Sequence, residues 1–248
     1  LAMLKVITLI TKYILVALAA LLFASCNHAI NLNSIEGSGN VTTEKRTVEG
    51  NFKSIEVNNN IDVVIEQSDR TEILVEADDN LQKHITTKVE NGTLIISFDK
   101  NSFINIGSKK VIVKMPVIEE LEASSSATIT SKNTLKGENI RLNASSGAAI
   151  EISIESDIIT CNTSSGSSIT INGKALKMKT TASSGSEINA LKLLANEITA
   201  DVSSGASINI HPIVSLTGQA SSGGEIRYHI QPKTIQKKTS SGGSIRQE

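Results

Sequence analysis

Few residues in this chain could do chemistry, and Cys26 is the first of them. It closes Leu22-Phe23-Ala24-Ser25-Cys26, a lipobox pattern whose thiol can become the thioether that carries a diacylglycerol. Lys5 and Lys12 and the apolar run Ile14–Phe23 precede it. That run is shorter than the ~20 residues a bilayer span needs and has the layout of a signal peptide. The second cysteine, Cys161, is left alone in an oxidising compartment, so no disulfide framework is expected. Its setting, Ile158-Ile159-Thr160-Cys161, is that of a small buried hydrophobe. The four histidines, His28, His84, His211 and His229, stand far apart and make no metal-ligand spacing. Asp157, Asp201, Glu151, Glu187 and Glu225 fall at unmatched phases, whereas a polysaccharide-cleaving groove needs clustered acids. Asp78, Asp79 and His84 are polar candidates for a small-ligand site, but a solvated turn accounts for them better. No metal, cofactor or catalytic residue is expected, and the protein is read as a non-enzyme.

Serine is the most repeated nucleophile type, and its spacing leads to the elements that position it. Ser145-Ser146-Gly147 returns as Ser164-Ser165-Gly166, Ser183-Ser184-Gly185, Ser203-Ser204-Gly205, Ser221-Ser222-Gly223 and Ser240-Ser241-Gly242, with Ser124-Ser125-Ser126 a degenerate first copy. First-serine spacings of 21, 19, 19, 20, 18 and 19 mark a solenoid. Five, three and one positions before the first serine stand Ile140, Leu142, Ala144, then Ile159, Cys161, Thr163, then Met178, Thr180, Ala182. This period of two predicts a strand with one inward face, and Ile150 and Ile152 or Ile169 and Ile171 continue it beyond the block. Each coil therefore holds at least two strands, with the Ser-Ser-Gly block at one bend and a polar, variable stretch at another. By parity the second serine of each block shares the inward phase, so a ladder of stacked hydroxyls at a tight corner is expected. No Gly-x-Ser-x-Gly elbow or Ser-x-x-Lys occurs and no histidine recurs in phase, which makes that ladder structural.

The fold class predicted is all-β: a parallel, right-handed β-helix or β-solenoid with coils of about 19 residues. A less regular β-rich N-terminal part of the same domain precedes it, with runs at 54–57, 61–65, 72–75, 93–98 and 111–114. Asn91-Gly92 there reads as a type I′ hairpin turn. The expected organisation is a signal peptide over 1–25, a lipidated Cys26 with a polar tether over 26–47, and one solenoid domain over 48–248. The chain reaches Gln247-Glu248 in mid-coil, where Lys237 at an inward position is expected to blunt the strand edge, with burial in a homo-oligomer as the alternative.

Taken together, Phe52-x-x-Ile55-x-Val57 with Asp62-Val63, Asn91-Gly92-Thr93-Leu94-x-Ile96 and the Ser-Ser-Gly-x-x-Ile repeats resemble the head-GIN domain family over about residues 48–245. The family is named for autotransporter adhesins, is common in Bacteroidetes and has no assigned function. The resemblance implies a β-helical fold and carries no catalytic or ligand residues to transfer.

Composition narrows the function further. Cleavage before Cys26 leaves 22 Lys and Arg against 25 Asp and Glu, a mature charge of −3, which excludes the basic face that nucleic acid requires. Three Phe and one Tyr remain, too few for stacking platforms, so a glycan partner would have to rely on Tyr228 or Phe103. The reading is a non-catalytic, lipid-anchored protein of the cell envelope, an adhesin or structural interaction module. Its partners are the membrane through Cys26 and an unidentified protein or second copy. Asn27 after the cysteine, in place of the Asp that favours inner-membrane retention in enteric bacteria, points to the outer membrane. The alternatives are a polysaccharide-acting β-helix enzyme and a small-ligand or lipid-binding module.

Overall fold

The Ser-Ser-Gly block sets the architecture by making a two-residue turn. In Ser145–Ala148 the Ala148 amide donates to the Ser145 carbonyl at 3.1 Å, while Ser146 and Gly147 take φ of 52° and 73°. Two successive left-handed residues reverse the chain tightly, and the same values return in every copy. The computed structural model describes residues 11–14, 16, 34–100 and 102–248. They fall into two units, Leu1–Ser34, where 11–14 and 16 are helical, and Ile35–Glu248. The signal-peptide run beyond those five residues and Cys26 lie outside the described residues. No helix among the described residues is long and apolar enough to cross a membrane.

The folded unit is almost entirely strand. In chain order these are β1 (Ser34–Glu36), β2 (Val41–Arg46), β3 (Ser54–Val57), β4 (Asp62–Gln67), β5 (Glu72–Asp78), β6 (Ile85–Glu90), β7 (Thr93–Phe98), β8 (Ser102–Ile104) and β9 (Lys109–Met115). Then follow β10 (Glu120–Ala123), β11 (Thr128–Ser131), β12 (Leu135–Ala144), β13 (Ala149–Thr163), β14 (Ser168–Ala182), β15 (Glu187–Val202), β16 (Ser207–Ala220), β17 (Glu225–Tyr228), β18 (Thr234–Thr239) and β19 (Ser244–Gln247). From β10 onward each coil pairs parallel with the next, which is the solenoid that the period of about 19 residues predicts.

The inward ladder runs Ile129, Ile150, Ile169, Ile188, Ile208, Ile226 and Ile245, with all but Ile245 buried. Burying each of the six contributes roughly 1.5–3 kcal/mol. Ile140, Ile159, Met178, Ile198 and Leu216 form the facing ladder. The serine phase differs from the parity expectation. Ser146, Ser165, Ser184, Ser204, Ser222 and Ser241 all have φ between 48° and 55° and point to solvent, because a left-handed residue breaks the alternation. The inward corner position is the residue after the glycine. There the Ser167 hydroxyl donates to the Ala144 carbonyl of the previous coil at 2.7 Å, and the Ser186 hydroxyl to Thr163 Oγ1 at 2.9 Å.

The N-terminal part is also coiled, in an order the chain disguises. β3 with β4 makes one coil, and Asn58-Asn59-Asn60 supplies its turn, with φ of 58° and 60° at the last two. β7 with β9 makes another, stacked on the far side of β3 and β4 from β10 and β11. Antiparallel strands then close this end: β6 on β7 through the Asn91-Gly92 turn, and β5 on β9 with β2 beyond it. Residues 41–46, expected in the 26–47 tether, thus belong to the fold, because β2 covers the free edge of β5. The excursion between β5 and β6 holds one 3-10 turn, Gln82–His84.

Glu72 stitches this end sheet across three strands, meeting Lys114 at 2.8 Å and Lys45 at 3.2 Å. Lys114 first and Lys45 second hold its carboxyl down, from 4.5 to about 2. A depressed folded pKa gives stability that is present above the unfolded value and is lost as pH falls towards the folded one. The deficit of Glu72→Gln in thermal melts is therefore expected to be full at pH 7 and to vanish between about pH 4.5 and 2. A deficit that stays constant across that window would refute this role.

Candidate interaction surface on the third edge

Between the two inward ladders the chain must swing from one sheet to the other. It does so without a turn, as β13, β14, β15 and β16 run continuously round the bend that lies between these ladders, away from the Ser-Ser-Gly corner. This bend is the third edge of the coil, with Ile154, Ala175, Leu193 and Pro212 filling the interior there. The expectation of a polar bend fails in the middle coils. Leu176, Leu194, Ile213 and Val214 stand outward, exposed by 53%, 41%, 41% and 37%. Among the described residues of the folded unit eight large apolar side chains are exposed, and these four share one edge. Leu176, Leu194 and Ile213 line a groove of about 570 Å³ together with Lys136, Lys174, Glu155 and Asp157. Lys136 and Gly137 also line a neighbouring groove of about 740 Å³ beside Val117 and Arg141. The charges around the strip are partly paired, Lys136 with Glu155 and Lys177 with Glu197, each at 3.4 Å.

The other sequence candidates resolve differently. Cys161 is buried, and burial alone pushes its thiol far above the ordinary range, so it is inert packing. His211 and His229, expected apart, come together with ring centres 5.6 Å apart, since their separation in sequence is one coil. The His211 Nδ1 lies 3.3 Å from the Leu191 carbonyl. Among the described residues no group of three or more His, Cys, Asp or Glu could hold a metal ion.

Asp78 is not a solvated turn residue. Its fully buried carboxylate accepts from the amides of Gly107 (2.8 Å), Ser108 (3.0 Å) and Gly39 (2.8 Å). Burial raises its pKa, but these amides outweigh the burial and leave it below the ordinary value. Asp79 binds Ser38 and Asn40, and His84 Nδ1 meets Asp99 at 2.9 Å, so the three candidates do not converge. Neither aromatic offers a free face to a sugar. Tyr228 is buried with Lys237 Nζ 4.6 Å from its ring centre, and Phe103 packs edge-on against Phe98 at 4.8 Å. Lys237 also donates to the Ile245 carbonyl at 3.2 Å.

A parallel solenoid closed at one end by antiparallel strands, with a packed interior and an apolar outer edge, places the chain among the β-solenoid proteins. The profile of the family described as "putative auto-transporter adhesin, head GIN domain" matches residues 51–232, and the chain belongs to that family. A solved "putative adhesin" from Bacteroides fragilis is 18% identical, with a TM-score of 0.79 over 87% of this chain and all of that one. A "putative adhesin" from Parabacteroides merdae is 22% identical, with a TM-score of 0.70 over 87% of this chain and 99% of that one. A "putative lipid binding protein" from Parabacteroides distasonis is also 22% identical, with a TM-score of 0.70 over 87% of this chain and all of that one. No curated protein matches the sequence.

Proposed function

We propose that this protein is a non-catalytic adhesin of the cell envelope, anchored by a lipid on Cys26, that binds through its third edge. The observation that carries the reading is the alignment of Leu176, Leu194, Ile213 and Val214 on one exposed edge. Contiguous exposed apolar side chains rimmed by charge mark interaction surfaces rather than solvated ones. The family's adhesin name agrees with it. The anchor rests on the Leu22–Cys26 pattern, and the outer membrane on Asn27. A glycan partner is disfavoured by the covered rings of Tyr228 and Phe103, and a protein partner suits the strip.

Lipid binding is the second reading, favoured by the apolar side chains of Leu176, Leu194 and Ile213 in the groove and by the name of one structural neighbour. Cells grown with labelled palmitate are expected to label the wild type and not Cys26→Ser, which should leave the membrane fraction. Proteinase K should digest the protein on intact cells. Label or membrane retention in Cys26→Ser removes the anchor from this reading, and full protection from protease removes the surface adhesin.

A further inference from the structure

We infer that the third edge is homophilic: it pairs with the third edge of a second copy, antiparallel, about a two-fold axis through Asn196. The register carries the argument. Asp157 lies opposite Leu176, since Ser156 pairs with Ala175 and Ile158 with Lys177. Leu176 lies opposite Asn196, between the Ala175–Ala195 and Lys177–Glu197 pairs. Asn196 faces the two residues Ile213 and Val214, between the Ala195–Pro212 and Glu197–Ser215 pairs. Val214 in turn adjoins Lys233, because Ser215 pairs with Thr234. Over the five coils from β13 onward this outward ladder therefore reads acid, apolar, amide, apolar, base. Glu138 of β12 adds a second exposed acid beside Asp157, and it faces the same Lys233 end of the partner copy.

That order is self-complementary only when reversed. Turned end for end on a second copy, Asp157 meets Lys233, Leu176 meets Val214, and Asn196 meets itself, as an isologous interface requires. A parallel pairing would instead set Asp157 on Asp157 and Lys233 on Lys233. Both charges are exposed, and among the described residues neither has an ionic partner or a hydrogen bond, so both are free to pair between copies. The adjoining ladder, Glu155, Lys174, Leu194 and His211, places Leu194 on Leu194 at the axis and Lys174 beside the His211 imidazole. On the opposite flank Glu197 approaches its own copy, with Lys177 at 3.4 Å to neutralise it.

Five coils at ~4.8 Å each make a strip only about 19 Å long. This is well short of the ~800 Å² per partner of a standard interface, so pairing in solution should be micromolar or weaker. Copies displayed densely on two surfaces would add avidity to so weak a pair. Antiparallel pairing sends the two N-terminal ends in opposite directions, which suits copies on facing surfaces. That consequence rests on the anchored reading above, whereas the pairing itself does not.

The test uses the chain from residue 26 with Cys26→Ser, which keeps the whole folded unit. Sedimentation equilibrium should show a concentration-dependent dimer. Asp157→Lys and Lys233→Asp should each weaken it roughly tenfold or more, and the double variant should return to within about twofold of the parent. Leu176→Asp should abolish the dimer. Melting curves check that each variant is folded. A monomer at about 1 mM overturns the inference, as does a double variant that fails to recover. So does a monomer that binds phosphatidylethanolamine–phosphatidylglycerol vesicles through Leu176, which would make the strip a lipid surface. Beads coated through the N-terminus should clump, and clumping should follow the same charge swap. If the dimer forms while the beads stay dispersed, facing-surface adhesion fails and the pairing stands.

Discussion

Gly173→Ala is expected to cost on the order of 4 kcal/mol and to collapse the third edge, read as a fall in the urea midpoint at unchanged slope. Gly173 lies in β14 with φ of 127°, between Ile154 below and Leu193 above. A Cβ there would sit 1.9 Å from the Ile154 carbonyl oxygen and 2.9 Å from its carbon. The obstacle is backbone, part of the ladder between coils, and cannot swing away as a side chain would. The positive φ costs an L residue ~1–3 kcal/mol, and forcing atoms into a close-packed interior adds ~1–3 more. Gly166 separates the two effects. Its φ is 70°, but a Cβ there meets nothing within 4 Å, so Gly166→Ala should show only the conformational cost, ~1 kcal/mol. Equal losses at the two glycines would mean that the close approach of coils is not what excludes a side chain at 173.

These two glycines also mark where the sequence could and could not be read. The period of 19 and the inward phases before each serine pair were legible because stacked coils repeat both spacing and parity. Ile140, Leu142 and Ala144 and their equivalents are buried in each coil through Val202. Parity fails at the corner, since counting by twos holds only along extended backbone, and Ser165 and Gly166 are both left-handed. In the N-terminal part the coils were hidden for a different reason. Val57 stacks between Ile96 and Ala123, so neighbours in space lie 39 and 66 residues apart, and the antiparallel strands β5 and β6 interrupt the count. One signal was present, for Asn58-Asn59-Asn60 is a run of the residue type that best tolerates left-handed backbone after glycine.

The third edge was partly legible too. Leu176, Leu194 and Ile213 fall once in each of three successive coils, outside the inward phases, although Leu194 stands two residues from the Leu176–Asn196 ladder. An apolar residue present in successive coils but out of the core phase points to the surface. The coil period applied to His211 and His229 brings the two rings together. Asp157 and Lys233 could not be matched from spacing alone, because β16 carries one extra residue opposite Asn196 and shifts the register by one.

Asp78→Ala is the second large effect expected, about 3 kcal/mol, and it should appear first as opening of the N-terminal end. The carboxylate draws together three separate pieces of chain: β5, which bears it, the entering segment at Gly39, and the loop at Gly107 and Ser108. Alanine leaves three amides without their acceptor, and losing a bond to a charged group costs ~1.5–3 kcal/mol, tempered where water can reach the donor. Asp78→Asn is the sharper variant, since it preserves shape. Its oxygen can still serve Gly107 and Ser108, but its NH2 then faces the Gly39 amide, donor against donor, so its loss should be about half that of alanine. Because the folded pKa is depressed, the advantage of Asp over Asn should be full at neutral pH and fade as acid protonates Asp78 in the folded state. Hydrogen exchange should show residues 37–40 and 105–108 opening first in both variants, with the coils from β12 to β16 still protected. If Asp78→Asn melts and exchanges like the parent at pH 7, the buried negative charge is not what holds this end closed.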